Sequence, residues 1–143
     1  MKKIIKKISL ALLLIFIGIQ FIPKNYNESD TVLPSDFMST FNIPKTIETQ
    51  LKISCYDCHS NNTNYPWYNK VQPIAWFLEG HINEAKDELN FSTFSEYSKR
   101  RKKSKLKSII SQIRDDEMPL YSYTLIHWDA KISEEDKARL IKW

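Results

Sequence analysis

The chain contains two cysteines, and they lie three residues apart in Cys55-Tyr56-Asp57-Cys58-His59. A C-x-x-C-H segment places two thiols on one turn, a spacing that suits thioethers to the two vinyl groups of a haem, with the adjacent histidine held beneath the iron as proximal ligand. Three other chemistries use the same cysteines. A thioredoxin-like dithiol belongs in a strand and helix framework, and no alternating pattern surrounds this segment. A zinc site would draw on Cys55, Cys58, His81 and His127, but those histidines lack the close pairing usual in such sites. A plain disulfide is open to any exported protein. None of the three requires His59, so the pattern favours one covalently attached haem c, bound by Cys55, Cys58 and His59 with His59 on the iron.

The second axial position has two main candidates. Met118, in Glu117-Met118-Pro119, sits in a break between two predicted helices, where a loop can aim a thioether at a haem face and Pro119 stiffens the approach. His81 falls inside the apolar stripe of a predicted helix, and a buried imidazole needs either a metal or a hydrogen-bonding partner. Met38 lies in a polar stretch and competes poorly. Methionine is also an ordinary core filler, so on the residues alone the position stays open between Met118, which is favoured, and His81, with His127 or an open site behind them. His127, Trp67, Tyr68, Trp76, Tyr121 and Tyr123 are candidates for lining a haem pocket, although most would serve equally as plain core.

The elements that must position these residues read as helices. The 143-residue chain has room for one domain plus a short appendage. Beyond the N-terminal segment it has one glycine, Gly80, and few β-branched runs, which leaves a many-turned β architecture without its turn chemistry. Ile43, Ile47 and Leu51 recur at intervals of four, with Pro44 suited to a first turn, so a short helix should lead into Cys55. Asn61 to Pro66 reads as a loop. Ile74, Phe77, Leu78, Ile82, Ala85 and Leu89 mark one stripe of a helix over 73–89, and Leu106, Ile109, Ile110 and Ile113 mark another that ends before Asp115. Ser133 with Asp136 resembles a capping box that opens a closing helix over 133–143. No internal repeat is visible.

The formal charge of +4 is unevenly placed. Lys2, Lys3, Lys6, Lys7 and Lys24 precede every acid, and from Asn25 onward 16 Lys and Arg face 17 Asp and Glu. The lysine-rich start and the mostly apolar run from Ile8 to Ile22 predict a topogenic segment over 1–23, either an uncleaved transmembrane anchor or a signal helix. No small-x-small cleavage site follows it, which favours the anchor. Residues 24–42 read as a tether containing Pro34, and the folded domain as 43–143. Everything after Pro23 is then expected outside the cytoplasm, tied to the membrane through the N-terminal helix. The run Lys99 to Lys107 holds seven basic residues. It is either a solvated helix face or a docking patch for an acidic redox partner, and its place outside the cytoplasm disfavours nucleic acid.

The strings CYDCHSNNTNYPWY, VQPIAW, HINEAKDELNFSTF and DEMPLYSYTLIHWDAKISEEDKARLIKW together resemble the bacterial haem-binding domain family. These are small monohaem, cytochrome-c-like proteins often found behind an N-terminal anchor. The resemblance covers most of Ile43 to Trp143. It implies an all-α, cytochrome-c-like domain around one haem, with Cys55, Cys58 and His59 binding the cofactor and Met118 as the distal ligand. Ala85-Lys86 stands where members commonly have Gly-Arg or Gly-Lys, and Leu120 where they often have a second proline. The expected function is electron transfer with an unidentified redox partner protein, a carrier rather than a catalyst. A haem-based sensor or peroxidase-like enzyme with an open distal site, and a haem-free dithiol or zinc module, are the alternatives.

Overall fold

A computed structural model describes residues 1–29 and 31–143. Asp30, which falls in the segment expected to be a tether, lies outside them. Among the described residues there is no strand, as an all-α chain requires. The helices are α1 (Lys2–Ile19), α2 (Phe37–Thr40), α3 (Lys45–Leu51), α4 (Asp57–His59), α5 (Ile74–Glu88), α6 (Lys99–Arg114), α7 (Tyr121–Thr124) and α8 (Glu134–Lys142). A π-helical turn over Lys52–Tyr56 joins α3 to α4, and a 3-10 helix covers Phe91–Glu96.

The structure gives the expected spanning N-terminal helix no support. Four lysines occupy the first two turns of α1, and the helix ends at Ile19, short of Phe21 and Ile22. Ile8 to Ile19 therefore spans roughly 18 Å at about 1.5 Å per residue, against roughly 30 Å for a bilayer core. No helix among the described residues is long and apolar enough to cross a membrane. No residue of α1 is buried, and the domain holds the foot of the helix instead. The Gln20 side-chain amide donates to the Gln72 carbonyl at 3.2 Å and its oxygen accepts from the Gln72 N–H at 2.9 Å.

Described residues of the segment expected to be a tether, Asn27 and Asp36 to Met38 among them, make contacts with the domain. Asn27 donates from Nδ2 to the Ser60 carbonyl at 2.8 Å, its N–H bonds the Tyr65 hydroxyl at 2.7 Å, and its carbonyl accepts from the Thr63 N–H. Asp36 caps α2 by accepting from the Met38 N–H at 2.8 Å, which delivers Phe37 to the core. That core joins Phe37 to Ile47 and Leu51 of α3 and to Leu89, Phe91 and Phe94. The Phe37 ring meets Phe94 at 4.8 Å and Phe91 at 5.3 Å, both edge to face, geometry that adds to what burial alone contributes.

In α5 the buried residues are Ala75 and Ile82, with Leu89 just beyond its end, whereas Ile74 and Phe77 are exposed. The inward stripe is therefore rotated by about one position from the expected one. That rotation takes His81 out of the core: its side chain is 35% exposed and lies against Phe77 and 3.9 Å from Glu84. α6 starts seven residues before Leu106 because Ser98 caps it, its hydroxyl accepting from the Arg101 N–H. Ser133 caps α8 in the same way through the Asp136 N–H.

Candidate functional site

The change from α3 to the π-helical turn widens the helix just before Cys55, and single π turns recur at functional sites. Several contacts fix this turn. Ser54 is buried, donates to the Ala130 carbonyl at 2.7 Å and accepts from Gln50 Nε2 at 2.7 Å. Tyr56 stacks on Phe91 with centroids 5.0 Å apart, and its hydroxyl donates to Asp36 at 2.9 Å. Asp57, between the two cysteines, accepts from the Tyr123 hydroxyl at 2.7 Å and from the Asn64 N–H at 3.1 Å.

His59 is then oriented by the C-terminal end of α5. Its Nδ1 lies 2.9 Å from the Ala85 carbonyl and 3.0 Å from the Leu89 carbonyl. A carbonyl oxygen can only accept, so Nδ1 carries the proton and Nε2 is left with its lone pair. Hydrogen bonding of one ring nitrogen to set the other as a ligand is the usual support for a metal-binding imidazole.

A cavity of about 310 Å³ opens beside this histidine. Cys55 and His59 line one side, Leu89 and Phe91 the floor, Lys105, Ile109, Gln112 and Ile113 of α6 another wall, and Met118 closes it. Its volume is at the lower end of the roughly 300 to 1,000 Å³ typical of small-molecule sites. Met118 is placed by a tight turn after α6. The Glu117 and Met118 N–H groups both donate to the Gln112 carbonyl, at 2.9 and 3.2 Å. Asp116 takes a left-handed φ of 57°, and Lys137 of α8 donates to its carboxylate.

The structure thus brings Cys55, His59 and Met118 around one cavity and leaves His81 outside its lining. Cys58 does not line it either; it is half-buried, within electrostatic range of Tyr68 and Tyr123. His127 bonds the Tyr68 hydroxyl through Nε2 at 2.8 Å and stacks on Tyr123, outside the cavity lining. Among the described residues no three His, Cys, Asp or Glu side chains are grouped to hold a metal ion, so the four-ligand zinc arrangement is not assembled. Of the aromatic candidates, Trp67, Trp76 and Tyr121 are exposed, Trp67 and Tyr121 at 75% and 74%, whereas Tyr68 and Tyr123 are half-buried, and none of the five lines the cavity.

Burial pushes the Cys55 thiol up to about 12, with Cys58 adding to it, and burial followed by Asp57 pushes Cys58 up to about 11. A dithiol that exchanges disulfides needs an accessible thiolate near neutral pH, and these thiols are held in the opposite state.

The apolar cavity with a histidine nitrogen, a thioether and a thiol around it suits a large flat apolar cofactor with a central metal. The family model described as Haem-binding domain matches residues 14–143. This chain belongs to that family. No curated protein and no solved structure matches the chain. The haem-binding domain therefore runs from within α1 to the end of α8, so the segment expected to be a tether and part of α1 fall inside the matched region. What the sequence did not single out is the backbone of Ala85 and Leu89, which carries the orientation of His59. A carbonyl acceptor leaves no trace in residue type. The helix end near Leu89 was the only available sign of it.

Proposed function

We propose that this haem-binding domain carries one c-type haem, joined by thioethers to Cys55 and Cys58 and held axially by His59 Nε2 and Met118 Sδ, and that it transfers single electrons outside the cytoplasm. Bound there, the haem supplies an iron that alternates between ferric and ferrous states. The observation that carries the proposal is the pair of contacts from His59 Nδ1 to the Ala85 and Leu89 carbonyls, because they leave the opposite nitrogen free as a donor at a cavity that Met118 also lines.

The chain's own residues then have defined tasks. Ala85 and Leu89 fix the tautomer and rotation of His59. Their position at the C-terminal end of α5 presents the negative end of the helix dipole to the imidazole N–H and strengthens nitrogen donation on the other side. Met118 would serve as the second protein ligand of the iron, and a histidine and methionine pair raises the reduction potential relative to two histidines. Leu89, Phe91, Ile109 and Ile113 exclude water from the cofactor face, and low polarity around a haem favours the less charged ferrous state. No residue is required to move a proton. The lysine-headed start of α1 followed by exposed apolar side chains has the form of an export signal, which supports the assignment of the domain outside the cytoplasm.

The test uses the full chain expressed with a cytochrome maturation system. Haem should remain with the polypeptide on a denaturing gel and be lost in Cys55→Ala/Cys58→Ala. The parent protein should be unreactive to carbon monoxide when reduced, whereas Met118→Ala should bind it readily and show a lowered potential. A colourless mature chain sinks covalent attachment. An unchanged spectrum and potential in Met118→Ala, with both altered in His81→Ala, reassigns the distal ligand.

A further inference from the structure

We propose that the basic face of α6 is a docking surface for an acidic protein that exchanges electrons at the mouth of the cavity; this rests on the electron-transfer function proposed above and names its partner chemically. Seven of the nine residues from Lys99 to Lys107 are Lys or Arg. Lys105 is the only one of the seven in an ion pair among the described residues, with Glu88 at 3.1 Å. Arg101 lies over the Tyr97 ring at 4.3 Å. Lys99, Arg100, Lys103 and Lys107 are exposed and have no carboxylate partner among the described residues.

This arrangement does not serve the helix. α6 has no acid in its first turn, and the cations there stand at the positive end of the dipole and repel one another at intervals of three and four. One member of the run reaches the cavity. Lys105 lines its edge, and Ile109 and Ile113, one and two turns further along the same helix, line its wall. A partner broad enough to span the outward basic residues and Lys105 therefore reaches the edge of the cofactor cavity, and the field of the run steers negatively charged surfaces to that end of α6.

An acidic protein fits better than an anionic membrane. The foot of α1 is held at Gln72, just before α5, whereas Glu88, the last residue of α5, meets Lys105. The two ends are roughly 22 Å apart at about 1.5 Å per residue, so the basic run lies at the end of α5 remote from the apolar helix.

In the decisive experiment the reduced, haem-loaded full chain is mixed with two one-electron oxidants. One is a blue-copper protein with an acidic surface patch, whose copper(II) becomes copper(I) as the haem iron becomes ferric. The other is the small cation tris(phenanthroline)cobalt(III), which becomes cobalt(II). The variant is Lys99→Gln/Arg100→Gln/Lys103→Gln/Lys107→Gln, which removes repulsion at the start of α6 and touches no residue of the cavity lining. Exchange with the acidic protein at low salt should fall by about tenfold or more and lose its salt dependence, while exchange with the cobalt cation should not fall. Equal rates for the acidic protein in parent and variant overturn the docking surface and leave electron transfer standing. A parent chain that reduces neither oxidant overturns the electron-transfer function itself. Unchanged protein exchange together with lost binding to phosphatidylglycerol vesicles would make the run a lipid site and also overturn the proposal.

Discussion

A histidine becomes a ligand only when something else takes its other nitrogen, and at His59 that role falls to two backbone carbonyls at the end of one helix. The cysteines one and four residues before it, Cys58 and Cys55, are controlled by burial. In the haem-free chain burial holds both folded thiols above the ordinary thiol value of 9.0. Between that value and about 11 to 12 the native state therefore holds protons that the unfolded state has lost. Stability from this source is fully present below pH 9, the unfolded value, and is lost as pH rises through the folded values. Urea denaturation of the haem-free full chain should thus show a midpoint that declines above that pH, and the decline should be reduced in Cys55→Ala. Thiol alkylation under native conditions should stay slow at neutral pH. Rapid alkylation of both cysteines at neutral pH would show that they behave as an active dithiol and would count against the site as described.

At the scale of elements, the site depends on a helix that changes pitch at one turn, and Ser54 is the residue that secures the change. It is buried and ties the turn to Ala130 and Gln50. Ser54→Ala leaves the Ala130 carbonyl without that donor and should cost about 1 to 3 kcal/mol, measured by urea denaturation; a loss well below this range would mean water replaces the hydroxyl. Much of this level could be read from residue types. The C-x-x-C-H segment, the helices over 73–89 and 106–113, the Ser133 cap and the break that presents Met118 all rest on local signals. Other features do not. The 3-10 helix at Phe91–Glu96 repeats every three residues, so Phe91, Phe94 and Tyr97 escape a search for intervals of three and four together. The stripe of α5 was misplaced because Ile74 and Phe77 are apolar yet exposed, and exposure of single apolar residues is common. The segment over 24–42 looked like a tether because its attachments run through Asn27 and Asp36, polar residues that carry no hydrophobic period.

For the whole molecule, the question is how a small helical chain holds together around a space. The cavity beside His59 has a neighbour of about 340 Å³ between α6 and α8, and Phe91, Ile109 and Ile113 are walls of both. Interiors are ordinarily packed with few voids larger than a water molecule, and empty apolar space costs stability because its lining lacks partners on one side. A haem in the cavity would pack against the walls formed by Leu89, Phe91 and Ile113 and add covalent links at the π-helical turn. The two forms should differ in a definite way. The haem-free full chain should keep much of its far-ultraviolet helical signal, yet unfold at a lower temperature and with a broader transition than the haem-loaded chain, and Phe91→Ala should destabilise the loaded form by about 3 to 5 kcal/mol. Equal melting temperatures for the two forms would place the cofactor outside this cavity, since a group that fills the centre of so small a core cannot leave it without thermodynamic consequence.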